Sequence, residues 1–229
     1  MKEKSFPGHL PLFPGELALL IAVIINSFGV VLMLHSGTGI SAISSVPFAF
    51  SKVLPFFSLG TWTYIFQGLL VLTLMVLRRH FVPSYLFSFL VGFVFSELLD
   101  LYELWVGTFP ISVLWSAVYF IVSYFLICTG IALSNHCGLP IIPTDLFPRE
   151  LAQITKFSYS KIKISFDAAC LILTAGMTYL FLGHIEGLGI GTVLAALTMG
   201  KVIGMIGQWL EKHFHFAAFQ TLHRKTLVS

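Results

Sequence analysis

Charge is what this sequence lacks. Only 10% of its 229 residues are Asp, Glu, Lys or Arg, against about 25% in an ordinary soluble domain. Hydrophobic residues make up 57% and the mean hydropathy is +0.92. A soluble surface cannot be built from that composition. Disorder is excluded too, because 23 Phe and the aliphatic residues would collapse any open chain. Cysteine is scarce. The 3 present, Cys128, Cys137 and Cys170, are too few and too scattered for a disulfide framework or a zinc site, and are expected as small buried residues. The sequence offers no nucleophile beside a base, no metal-ligand cluster and no phosphate loop. It therefore predicts no enzyme, no metal, no cofactor and no nucleic-acid partner.

What is present is long apolar runs. Six are long enough to cross a bilayer, at about residues 17–34, 60–77, 83–101, 111–133, 164–182 and 188–210, since a helix needs about 20 apolar residues to do so. The runs are continuous rather than alternating, which argues against a β-barrel. Lys2 and Lys4 resemble the start of a signal peptide. The run that follows is too long for one and has no small-x-small cleavage site after it, so a retained helix is expected. With the N-terminus inside, 11 of the 13 basic residues fall on the cytoplasmic side, Lys52 falls outside and Lys201 lies within a span. That bias places both termini in the cytoplasm.

The chain also repeats itself. At an offset of 101 residues, Gly29, Leu32, His35, Gly37, Ile40 and Pro47 meet Gly130, Leu133, His136, Gly138, Ile141 and Pro148. Each unit reads as a helix, then His-x-Gly, then a semi-apolar segment containing Pro, then two further helices. The expected fold is all-α and polytopic: a single membrane domain of repeat 1 (about 15–105), repeat 2 (about 110–211) and a cytoplasmic tail (212–229). Three spans per unit is an odd number, so the second unit is inverted relative to the first, a plan used by many secondary transporters. The segments at about 41–57 and 142–158 are too apolar for free loops. Each is either a re-entrant half-helix or a short helix lying in the membrane surface.

One stretch is recognisable as a family pattern. Leu139-Pro-Ile-Ile-Pro-Thr-Asp145-Leu-Phe-Pro-Arg-Glu-Leu151 precedes Phe157-Ser-Tyr-Ser-Lys-Ile-Lys163. Asp167 then opens a helix, Gly187-Leu-Gly-Ile-Gly-Thr192 leads to Gly200-Lys201, and the first half carries Ser58-Leu-Gly-Thr-Trp62. Together these resemble the bacterial YczE/YyaS/YitT-type integral membrane proteins over nearly the whole chain. The chain shows no soluble C-terminal domain of the YitT kind, so it is most similar to the shorter YczE branch. The resemblance implies a multi-pass plasma-membrane protein and carries no activity with it.

A charge inside a span costs about 2.5–3.5 kcal/mol on insertion scales, so such residues pair or face the bundle interior. Asp167 and Lys201 lie at similar depth on consecutive helices, where a salt bridge is geometrically allowed, either locking two helices or gating a pathway; the alternative is that Lys201 snorkels to the interface. Glu97, Asp100 and Asp145 are candidate protonatable or cavity groups, with Glu97 and Asp100 sharing a helix face. Gly187, Gly189 and Gly191 have the wrong spacing for a dinucleotide site and follow no strand. They allow a tight turn, while Gly200 and Gly204 form a small-x-x-x-small pattern for close helix approach or a cavity. His35 and His136 would sit on opposite sides of an inverted repeat. The function expected is a small secondary transporter or exporter of an unknown small molecule. The alternative is an accessory protein that stabilises another membrane complex. Lipid is the one certain partner, and the sequence leaves the oligomeric state open.

Overall fold

A computed structural model of the chain describes residues 11–217, apart from the side chain of Ser160. Lys2, Lys4, Arg224 and Lys225, used above for orientation, lie outside the described residues. The first element is a short strand, β1 (Leu12–Pro14). Eight helices follow: α1 (Gly15–His35), α2 (Ala42–Val53), α3 (Leu59–Arg78), α4 (Pro83–Val106), α5 (Val113–His136), α6 (Pro143–Thr155), α7 (Tyr159–Leu182) and α8 (Ile190–His213). A strand β2 (His215–Ala217) closes the series and pairs in parallel with β1. Six helices, all but α2 and α6, are long and apolar enough to span a membrane. The all-α polytopic fold read from the sequence is the fold observed.

Local chemistry sets the boundaries. Ser58 caps α3 by accepting from the Thr61 amide, and Ser112 caps α5 by accepting from the Trp115 amide. Proline opens α4 and α6, where no amide hydrogen is needed. Gly183 ends α7 in the left-handed conformation (φ 78°). Pro47 and Pro148 sit inside α2 and α6 at matching positions of the repeat. At 12 and 13 residues these two helices are about 18–20 Å long, too short for a hydrocarbon core of about 30 Å.

Packing follows the repeat. α1 lies against α5, and each carries one further long helix: α4 on α1, α8 on α5. The short helices exchange units, α2 packing on α7 and α6 on α3, and each also touches the next helix of its own unit. Adding 101 to one set of partners gives the other. The centre is reciprocal at atomic level. A Cβ on Gly29 would stand 2.9 Å from Ile127 and 3.3 Å from the Ser123 carbonyl; one on Gly130 would stand 3.0 Å from Asn26 and 3.2 Å from the Ala22 carbonyl. Ser123 and Ile127 are the repeat equivalents of Ala22 and Asn26. The two helices run antiparallel, because His35 at the end of α1 stacks near Tyr119 early in α5. An antiparallel pair with reciprocal contacts has its two-fold axis perpendicular to the helices, as an inverted repeat requires.

One extensive contact lacks its counterpart. α3 packs along α4, while α7 and α8 do not pack along each other. That departure separates two residues expected to meet, as described below.

The crossing predicts a stability difference. Gly29→Val or Gly130→Val drives a branched side chain into backbone and should cost about 1–3 kcal/mol. Gly176, with nothing within 4 Å of its Cβ position, should tolerate Val within about 0.5 kcal/mol. Thermal unfolding followed by fluorescence size-exclusion measures both.

Candidate functional site

The two short helices begin inside the bundle. In α2, Ala42, Ile43, Ser45, Val46, Pro47, Phe48 and Ala49 are buried. Ser45 Oγ and Thr174 Oγ1 share a hydrogen bond of 2.8 Å. Thr174 lies eight residues before the end of α7, about 12 Å along it. α6 starts equally deep. Pro143 approaches Gly92 and Gln67, which are 9 and 11 residues from the near ends of α4 and α3, or about 14–16 Å. From there α6 returns toward the α3–α4 turn, where Glu150 meets Arg78 and Tyr85. Both helices are therefore enclosed half-helices rather than surface helices, and they enter from opposite faces.

The segment before α2 is zipped to the loop before α8. The Ile40 amide donates to the Gly187 carbonyl (3.0 Å) and to Thr192 Oγ1 (3.1 Å). The Gly191 amide donates to the Thr38 carbonyl (2.9 Å). This explains the predicted glycines. The Phe48 ring occupies the space a side chain on Gly187 would need, and Thr38 does the same at Gly189 and Gly191. Gly187 also has φ +79°, strained for any other residue. Their use is the close joining of the two units. Gly200 and Gly204, by contrast, have nothing within 4 Å of their Cβ positions among the described residues.

Beside this zip lies a cavity of about 430 Å³ at the face where α1 and α4 end. It is lined by His35, Phe48, Lys52 and Glu103 from the first unit and by Glu186 and Gly187 from the second. Lys52 Nζ stands 3.8 Å from Glu186 and 5.4 Å from the Phe48 ring centroid. His35 is held by Phe109 and Tyr119, and its buried Nε2 has no partner.

The opposite face is held by side-chain bonds and aromatic contacts. Arg78 and Tyr85 both donate to Glu150, tying α3, α4 and α6 together, and Arg78 also reaches Gln153 at 3.4 Å. His136, the repeat partner of His35, donates from Nδ1 to the Ala132 carbonyl (2.7 Å), faces Glu211 at 3.3 Å and rests on Phe216. Its ring fills the space above Gly207. Phe13, Phe214 and Phe216 pack together across the β1–β2 pair. Behind these groups Gln67 is fully buried with both amide atoms unpartnered, as are the hydroxyls of Ser88 and Ser96 and one oxygen of Asp145.

The predicted charges are redistributed. Asp167 does not meet Lys201. It is held by Lys163, one turn earlier on α7, with both carboxylate oxygens 2.7 Å from the ammonium. The reason is that α7 and α8 do not pack along each other: adjacent in sequence, these helices pack on different neighbours, and Lys201 is exposed. Asp100 is a cap rather than a cavity group. It accepts from the Gly60 amide (2.7 Å) and from Ser58 Oγ, holding the start of α3 against α4. Glu97 is exposed on α4. Asp145 lies in the first turn of α6, with Arg149, Lys163 and Asp167 as the charges acting on it. All three cysteines are free and buried, and burial pushes the Cys137 thiol above its ordinary range. The sequence reading missed the Arg78–Tyr85–Glu150 lock, whose signal was an Arg and a Glu at the ends of apolar segments.

A family model extends from the residue before α1 into the penultimate turn of α8, matching residues 14–208. The chain belongs to the family of unknown function DUF6198. The match takes in both units, both half-helices and the whole cavity lining. No curated protein and no solved structure matches the chain.

The local pairing of Asp167 is measurable. In a double-mutant cycle, Asp167→Asn and Lys163→Met should couple by about 0.5–3 kcal/mol. Asp167→Asn and Lys201→Met should be additive within about 0.5 kcal/mol.

Proposed function

We propose that this chain is a small secondary transporter of the plasma membrane, held in a state open at one face only. The observation that carries this reading is the unequal treatment of equivalent places. Two units with reciprocal packing meet at α1 and α5, yet a cavity lined by both opens around His35, while the equivalent place around His136 is filled and bonded. Inverted units that exchange conformations exchange the open face, which is alternating access. The positive-inside bias makes the cavity face external and the chain termini cytoplasmic. The resemblance to the YczE branch fits the same location.

In this reading the Arg78–Tyr85–Glu150 lock is the inner gate. Gln67, Ser88 and Ser96 line the path it closes; their unpartnered polar atoms are what a hydrated or substrate-filled inward state would satisfy. The substrate is small enough for a few hundred cubic ångströms and meets Lys52, Glu103, Glu186 and His35 on entry.

Cysteine labelling tests the gate without knowing the substrate. In proteoliposomes, Leu34→Cys should react with an impermeant maleimide from the cavity face, and Ser88→Cys should not react from the other face. Adding Glu150→Ala should raise Ser88→Cys labelling at least tenfold and lower Leu34→Cys labelling. If breaking the lock changes neither, the chain has one state and the carrier reading fails. A solute screen by solid-supported-membrane electrophysiology then looks for a current that Glu150→Ala alters.

A further inference from the structure

Two charges far from the helix ends, Glu97 on α4 and Lys201 on α8, are not used by the proposed pathway, and both are exposed on the outside of the bundle. On α4 the buried positions, among them Tyr85, Ser88, Gly92, Phe95 and Leu99, define one face. At 100° per residue Glu97 points directly away from it. On α8 the face toward α5 carries Gly191, Thr192, Ala195, Gly207 and Leu210. Lys201 likewise points away. Both are exposed. Lys201 is 11 residues from the start of α8 and 12 from its end, about 17 Å from either, too deep for its stem to snorkel to the interface. Glu97 is nine residues from the end of α4, about 14 Å.

The two lie at matching depth. Tyr102 of α4 packs edge-to-face on Phe28 of α1, and Thr198 of α8 is hydrogen-bonded to Tyr124 of α5. Counting from those contacts and from the α1–α5 crossing puts Glu97 and Lys201 within about 6 Å of one level. Their surroundings are complementary in shape. Glu97 is flanked on its face by Leu90, Val94, Leu101 and Leu104, all exposed. Lys201 adjoins Gly200 and Gly204, whose Cβ positions are open.

We infer that α4 of one copy of this chain docks against α8 of a second copy in the same membrane, pairing Glu97 with Lys201 and seating the α4 leucines over the α8 glycines. Charge complementarity selects this occupant. An α4–α4 contact would oppose two carboxylates and an α8–α8 contact two ammoniums, whereas α4–α8 neutralises both. The assembly is heterologous, with different surfaces meeting. It holds whether or not the chain moves a solute.

The test uses the full chain in lipid nanodiscs and native membranes. The wild type should be oligomeric by single-molecule photobleaching. Glu97→Lys and Lys201→Glu should each cut the oligomeric fraction at least tenfold, and the double reversal should restore it. A second measurement leaves the charges in place. Chains carrying Val94→Cys mixed with chains carrying Gln208→Cys should form an intermolecular disulfide that neither forms alone; the native cysteines are buried and do not interfere. A monomeric wild type, a double reversal that fails to restore assembly, or cross-links between like positions would overturn the proposal.

Discussion

The closest approach of α1 and α5 governs the rest of this molecule. Two glycines, Gly29 and Gly130, let each helix set its side chains against the other's backbone. Any side chain at either place would push the pair apart, and every other long helix is hung on this pair or on the half-helices beside it. Because the crossing is reciprocal, it imposes an approximate two-fold relation on everything attached to it. In lipid, where apolar burial gives helices little reason to associate, such small-residue contacts supply much of the driving force.

Against that symmetry the differences carry the information. His35 and His136 occupy the same place in their units, yet one borders open space and the other is bonded and covered. α3 lies along α4 while α7 does not pack along α8. A sequence repeat that folded into two identical halves would close or open both faces together. Here one face carries the cavity, and the other carries the Arg78–Glu150 ion pair and the β1–β2 aromatic cluster. The half-helices contribute most where they start, since a buried helix beginning brings its first amides, and in α6 the carboxylate of Asp145, to depths where lipid could not satisfy them.

Most of the fold was legible. The six spans follow from the length of the apolar runs, and the repeat follows from matched Gly, His-x-Gly and Pro at a single offset. The half-helices were visible as segments, though not their depth, because a Pro-containing apolar stretch suits both a re-entrant and a surface position. The site was less legible for a physical reason. Its lining comes from residues 35, 52, 103 and 186, which no local pattern connects. The Asp167–Lys201 expectation assumed that consecutive helices are neighbours. That holds for α3 and α4 and fails for α7 and α8, so the carboxylate turned to the Lys163 on its own helix. Asp100 read as a candidate cavity acid, but its role depends on Gly60, forty residues earlier in the chain, lying against it.

The exchange of half-helices between units bears on how the chain is made. α2 leaves the ribosome more than a hundred residues ahead of α7, the helix it packs against most extensively. Until α7 arrives, a segment too short to span and too apolar for water has no finished binding place. The first unit is thus not an independent folding step, and insertion of the early helices precedes their final docking. A nascent chain halted after α4 would hold α2 at the bilayer surface, exposed to whatever quality-control machinery patrols there.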